Sequence, residues 1–170
     1  IAAIYDLVKP SSIVNVLKTF KGVEHRNEFV REINGVKWYN DSIGSSPTRT
    51  IAGLLSFKDK VILMAGGYDK HLDYTELGKY IVTHVKTLIL MGQTKEKIKV
   101  ATQKAISESN EAQESLPIIE CTTLEEAVCE ANKIAKTGDI VFFSPASASF
   151  DMFKNFMERG DKFKELVSKL

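Results

Sequence analysis

The stretch from Gly138 to Gly160, GDIVFFSPASASFDMFKNFMERG, constrains the fold more than any other part of the chain. It opens with an apolar run, Ile140–Phe143, which has no polar alternation and so reads as a strand covered on both faces. A loop of small residues follows, Ser144-Pro145-Ala146-Ser147-Ala148-Ser149. The pattern then predicts the start of an amphipathic helix over Phe150–Met157, ending near Gly160. A buried strand feeding a small-residue loop and then a helix belongs in an open parallel sheet, where ligands sit beyond the carboxyl ends of strands. Three serine hydroxyls and a helix N-terminus would converge there. That grouping suits an anion, because free helix N–H groups carry partial positive charge. The same serines would serve equally well as caps in a plain strand-to-helix connection.

The remainder of the chain repeats the alternation. Residues 1–8 read as the end of a helix stopped by Pro10, and Ser11 or Ser12 as the cap of a second helix through Thr19, with Ile13, Val14, Leu17 and Phe20 on one face. Phe29–Ile33 and Val36–Tyr39 flank Asn34-Gly35, a pair that accepts positive φ at both positions of a tight hairpin turn. After a polar loop, Asn40–Ser46, Pro47 sits at the first position of a helix to about Phe57, capped by Ser46 or Ser45. Strands are expected at Val61–Met64, Thr87–Met91, Pro117–Cys121 and Ile140–Phe143, and helices at Tyr74–His84, Thr94–Ser107 and from Thr123 to about Lys136. Thr123 and Glu126 have the spacing of a capping box, and Asn110–Ser115 is a polar loop. This order implies an α/β domain: a mostly parallel sheet with helices on both faces.

Composition narrows the class. A chain of 170 residues suits one domain with a sizeable core, and a net charge of +1 points to neither nucleic acid nor a membrane surface. No apolar run approaches the length of a transmembrane helix, and the first residues have no basic segment or cleavage pattern. The start at Ile1, inside an apparent helix, is expected of a piece of a longer protein. Cys121 and Cys129 have no ligand neighbours at metal spacing and read as free thiols in a reducing cytoplasm.

Three loops at strand ends offer chemistry: Asn40–Ser46, Gly66–Lys70 and Ser144–Ser149. In a doubly wound sheet they share one rim. Gly66-Gly67 lets backbone approach a ligand and Lys70 adds a cation, although a tight turn with a solvated lysine has the same sequence. The loop has neither Walker nor Gly-x-Gly-x-x-Gly spacing. Asp41 would hold a metal or a ribose hydroxyl, or would form part of a turn. His25-Arg26 reads as a surface pair, His71 and His84 as structural residues without partners, and no histidine is placed for a Ser-His-Asp triad.

Taken together, Gly22-Val23-Glu24-His25-Arg26, Tyr39-Asn40-Asp41-Ser42, Gly66-Gly67-Tyr68-Asp69-Lys70 and Ser144–Asp151, continuing through Phe153-Lys154-Asn155-Phe156 to Glu158-Arg159-Gly160, resemble the C-terminal domain of the Mur ligase family. The Asn-Asp-Ser form resembles the branch that adds D-glutamate; relatives have Asp-Tyr-Ala-His there. The resemblance covers about Phe20 to Leu170. It implies a Rossmann-like, doubly wound sheet with one antiparallel strand at residues 22–170, and a helical tail of the preceding central ATPase domain at residues 1–21. It further implies an ATP-dependent amide-bond-forming ligase of peptidoglycan synthesis, cytoplasmic, with Mg²⁺ as cofactor. Its partners would be ATP, D-glutamate and UDP-N-acetylmuramoyl-L-alanine. By position, Arg26 and Asp41 match residues that touch the nucleotide, and Lys70, Ser149, Phe150 and Phe156 those around D-glutamate, with Ser45 where the family often has threonine. No metal ligand and no certain catalytic residue falls within this chain.

Two departures stand out. Ile43-Gly44-Ser45-Ser46 replaces a common Lys-Ala-Thr-Asn, and Ser147 replaces a common cysteine. The phosphate-binding loop, the modified lysine that helps hold metal and the uridine-nucleotide domain have no counterpart in the chain. Two other functions fit less of the pattern: a folate polyglutamating ligase, which the Asn-Asp-Ser motif argues against, and a non-catalytic Rossmann-like binding module.

Overall fold

The computed structural model describes residues 7–20, 22–109 and 116–170. Of the helix end expected over residues 1–8, residues 1–6 lie outside them, as does the loop Asn110–Ser115; Leu7 and Val8 form a turn and bend rather than a helix. The elements run α1 (Pro10–Thr19), β1 (Glu28–Ile33), β2 (Val36–Asn40), α2 (Pro47–Leu54), β3 (Val61–Gly66), α3 (Thr75–His84), β4 (Val85–Met91), α4 (Lys95–Glu108), β5 (Ile118–Glu120), α5 (Leu124–Ile134), β6 (Ile140–Phe143) and α6 (Phe156–Ser168). The strands form one sheet in the order β1-β2-β6-β3-β4-β5. Only β1 is antiparallel, paired to β2; the other neighbours are parallel. Asn34 and Gly35 both take positive φ, 52° and 78°, so the hairpin forms as the sequence predicts.

Helices cover both faces, and the central strands show why the apolar runs are unbroken. Along β3, Ile62 and Met64 face one core with Trp38, Phe143, Phe163 and the apolar side of α5, while Val61, Leu63 and Ala65 face a second core with Leu77, Ile81, Ile98 and Phe142. A strand buried on both sides has no solvent face on which to place polar residues.

Three local expectations fail, each for a physical reason. Neither Ser11 nor Ser12 caps α1: Pro10 occupies the first helical position and Lys9 precedes it, which uses proline's missing N–H where no bond is due. None of α1 is buried, and Val14, Leu17 and Phe20 are exposed. The last helix starts at Phe156 rather than Phe150 and runs through Gly160 to Ser168. Asn155 is its cap, with Oδ1 accepting from the Glu158 N–H at 2.8 Å while Glu158 accepts from the Lys154 N–H at 2.8 Å. Gly160 lies mid-helix because His25 packs on it: a Cβ there would come within 2.2 Å of the imidazole Nδ1. Finally, Ser46 is the N-cap residue of α2 with Pro47 at the first helical position, as expected, but its hydroxyl meets Thr48 Oγ1 rather than a backbone N–H, and the helix stops at Leu54 rather than near Phe57. The Thr123 cap does form, with Glu126 reaching back to Thr122.

Both cysteines are free, Cys121 buried and Cys129 exposed. Burial, aided by Glu126 and Glu130, pushes the Cys121 thiol from 9.0 up to about 11. In the folded chain at pH 8, a thiol reagent is therefore expected to label Cys129 rapidly and Cys121 only after denaturant is added. Equal labelling rates under native conditions would contradict that burial.

Candidate functional site

The parallel strands β2, β6, β3 and β4 bring their carboxyl ends to one edge, with Asn40 opposite Phe143, Met64 opposite Phe143, and Gly66 opposite Met91. The chain winds from β3 through β4 to β5, then returns to β6 on the other side of β3. This is the topological switch where open α/β sheets place their ligands. The three loops singled out in the sequence thus lie side by side, joined by a fourth, Gly92–Thr94, from the end of β4.

The loop after β2 is built on a buried carboxylate. Asp41 donates its N–H to Phe143 O at 2.7 Å, and its carboxylate accepts from Ser144 Oγ at 2.7 Å and from the Asn27 N–H at 3.2 Å. Burial raises Asp41 above its ordinary value, against the pull of those hydrogen bonds and of the Arg26 and Arg49 charges. Arg26, Asn27, Asp41, Ile43, Gly44 and Arg49 are among the residues lining a cavity of about 150 Å³. Asn27 Oδ1 is buried and has no hydrogen-bond partner among the described residues. Two guanidinium groups, a carboxylate and an orphaned acceptor fit the phosphates and hydroxyls of a nucleotide.

At the switch point, the Tyr68 N–H donates to Ala148 O at 2.9 Å and ties the loop after β3 to the loop after β6. Gly66 and Gly67 have φ of 113° and 154°, and a Cβ on them would lie 1.9 Å from Met91 O and 2.3 Å from Ala148 O. Only glycine allows this closeness. Lys70 is exposed, with Nζ 5.5 Å from the centroid of the exposed Phe150 ring, and forms no ion pair among the described residues. Ser149, which precedes Phe150, is buried, and its carbonyl accepts the Met152 and Phe153 N–H groups.

Other expectations are redistributed. Three free hydroxyls do not converge on a helix end: Ser144 bonds Asp41 at 2.7 Å and Thr50 at 2.8 Å, and Ser147 bonds Tyr74 OH and Thr94 Oγ1, both at 2.8 Å. Phe156 is half-buried, edge-on to the His25 ring, and its carbonyl accepts from Ser42 Oγ at 2.8 Å. Ser45 lies half-buried on the approach to α2, held by its N–H to Ile43 O. His25 is not a surface residue: it is buried, its Nδ1 accepting from Asn40 Nδ2 at 3.0 Å. His84 has partners, Tyr80 and Thr83, whereas His71 is exposed and lies 3.8 Å from Asp69. Glu24, His25 and Asp161 are close enough to share a cation, but the Lys164 ammonium already pairs with Glu24, Glu28 and Asp161.

One residue of the site was quoted in the sequence motif but given no role. Arg159, 2% exposed, donates Nε to Ser42 Oγ, Nη2 to Ser42 O, and Nη1 to Ser147 O and Ala148 O. Burial lowers its guanidinium to about 10, which leaves it charged at neutral pH. The signal was present: Arg159, Phe163 and Val167 recur at helical spacing, which puts the arginine on the buried stripe of α6.

The sheet and its rim define a doubly wound α/β domain with loops carrying arginine, lysine, glycine and serine at its switch point. Residues 25–147 match the family described as Mur ligase, glutamate ligase domain. The chain belongs to that family. It is 59% identical over 169 residues to a UDP-N-acetylmuramoylalanine--D-glutamate ligase of Acetivibrio thermocellus, covering 99% of this chain and 36% of the relative. It is 57% identical over 163 residues to the Clostridium acetobutylicum protein of the same name, covering 96% and 35%. The chain therefore spans about a third of the length of these curated relatives. Two solved structures share the fold alone: a pseudomurein peptide ligase type C from Methanothermus fervidus (TM-score 0.60, 17% identity, 99% of this chain and 33% of that one) and a bifunctional folylpolyglutamate synthase/dihydrofolate synthase from Yersinia pestis (0.61, 14%, 94% and 35%). Among the described residues, no helix is long and apolar enough to cross a membrane.

Proposed function

We propose that residues 22–170 are the amino-acid-presenting domain of an ATP-dependent ligase that adds D-glutamate to UDP-N-acetylmuramoyl-L-alanine, with residues 1–21 the tail of its central ATPase domain. The reaction runs in the cytoplasm. The substrate's terminal carboxylate takes the γ-phosphoryl group of ATP and releases ADP. The D-glutamate amine then attacks the acyl carbon, loses a proton and expels phosphate. Mg²⁺ would be held mainly by the central domain and would neutralise the phosphates. Within this chain, Arg26 and Asp41 hold the nucleotide. Lys70, Ser149, Phe150 and Phe156, with Ser45, surround D-glutamate. The observation that carries the reading is Lys70, without an ion pair among the described residues, over the Phe150 ring at the switch point, with only the end of β6 between its strand and that of the Asp41 cavity. A dicarboxylate needs such a cation together with N–H or O–H donors.

The test uses the full-length protein with ATP, UDP-N-acetylmuramoyl-L-alanine and either D- or L-glutamate, following amide formation. Coupling is expected with D-glutamate only. The 170-residue chain alone is expected to be inactive, because closure over a phosphate loop it lacks assembles the site. Equal use of L-glutamate, or turnover by the isolated chain, would contradict the proposal.

A further inference from the structure

A guanidinium as deeply buried as that of Arg159 is ordinarily paired with an acid. Here its hydrogen bonds go to neutral oxygens: Ser42 Oγ at 3.0 Å, Ser42 O at 2.8 Å, Ser147 O at 3.1 Å and Ala148 O at 3.0 Å. Two consequences follow from this geometry. The bonds join the loop after β2, which carries Asp41, to the loop after β6, which carries Ser149. They also turn two successive carbonyls inward. In a trans peptide the N–H points opposite to the preceding C=O, so the Ala148 and Ser149 N–H groups are aimed away from the guanidinium. The Ser149 N–H makes no hydrogen bond among the described residues. A third loop closes on the same group: a Cβ on Gly67 would lie 3.2 Å from Nη1.

We propose that Arg159 is the positioning residue of the rim. It fixes the spacing between the nucleotide loop and the amino-acid loop, and it sets a positive charge, hydrogen-bonded only to neutral oxygens and balanced by the nearby Asp151 carboxylate without a direct bond to it, beneath the carboxylate of the incoming amino acid. This inference rests on the proposed function. Arg159 touches neither substrate; it acts through Ser42 and through the peptides before Ser149. Lysine would keep the charge but lose the planar fork that reaches both loops, whereas glutamine would lose the charge as well.

In the full-length protein, Arg159→Lys is expected to raise the KM for D-glutamate roughly tenfold, the scale of one lost charge-assisted hydrogen bond. Arg159→Gln is expected to raise it further. Acyl phosphate formation, trapped by reduction without D-glutamate, is expected to stay within about threefold of wild type, since that step precedes the amino acid. Ser42→Ala keeps the guanidinium and removes one acceptor, so it serves if the arginine variants do not fold; it is expected to shift the same constant in the same direction by less. An unchanged D-glutamate KM in folded Arg159→Lys, or in Ser42→Ala should neither arginine variant fold, would overturn the assignment. So would a loss of both partial reactions together. Wild-type protein that couples no D-glutamate would instead defeat the proposed function, which the same assay reads separately.

Discussion

Replacing Lys70 by alanine in the full-length protein is expected to weaken D-glutamate use by roughly 10–100-fold while leaving acyl phosphate formation largely intact. The size follows from a charge-assisted contact once domain closure excludes water from the exposed lysine, about 1.5–3 kcal/mol, at about 1.4 kcal/mol per tenfold. The direction follows from place. Lys70 stands over the Phe150 ring at the switch point, while the arginines that suit a nucleotide line the cavity at the end of β2. A lysine serving the transferring phosphate would show the opposite split: little trapped intermediate and an unchanged D-glutamate KM. A lysine that only solvates its loop would change neither step.

The largest effect on stability is expected from Phe163→Ala. Its ring is fully buried on α6, stacked 4.6 Å from Phe143 and 6.3 Å from Trp38. Truncating a buried phenylalanine costs about 3–5 kcal/mol, a large share of the roughly 5–15 kcal/mol that holds a domain together. Urea unfolding of the chain is expected to show the midpoint falling with an unchanged slope. Met157→Ala, on the exposed side of the same helix, is expected to stay within about 0.5 kcal/mol. A loss below about 1 kcal/mol for Phe163→Ala would mean that α6 is not anchored through this stack. That anchoring also matters for Arg159, one turn earlier on the same stripe.

The sheet was legible because its central strands are buried on both faces. Val61–Met64 and Ile140–Phe143 contain no polar residue, and Asn34-Gly35 marks the one antiparallel connection. The rim was legible as three loops, since glycine pairs and serine clusters stand out between apolar runs. What binds those loops together was not. His25 and Arg159 are polar residues in polar stretches, and their burial depends on neighbours more than a hundred residues away in sequence: Gly160 lies against His25, and Arg159 bonds Ser42. The start of α6 was misplaced because Phe150–Phe153 continues an apolar pattern, while the stronger signal was local, Asn155 with Glu158 closing the N-terminal turn. The resemblance to the ligase family matched residues to ligands by position; it did not reveal that Ser144 and Ser147 spend their hydroxyls inside the protein.

In the proposed reaction the amino acid and the nucleotide occupy neighbouring loops of one rim. The most direct test is a crystal structure of the full-length protein with a non-hydrolysable ATP analogue and D-glutamate. A D-glutamate carboxylate within hydrogen-bond reach of Lys70 Nζ and Ser149, with the nucleotide against Arg26 and Asp41, is the predicted result. D-glutamate bound away from the β3 and β6 loops, or Lys70 bound to the terminal phosphate, would contradict it.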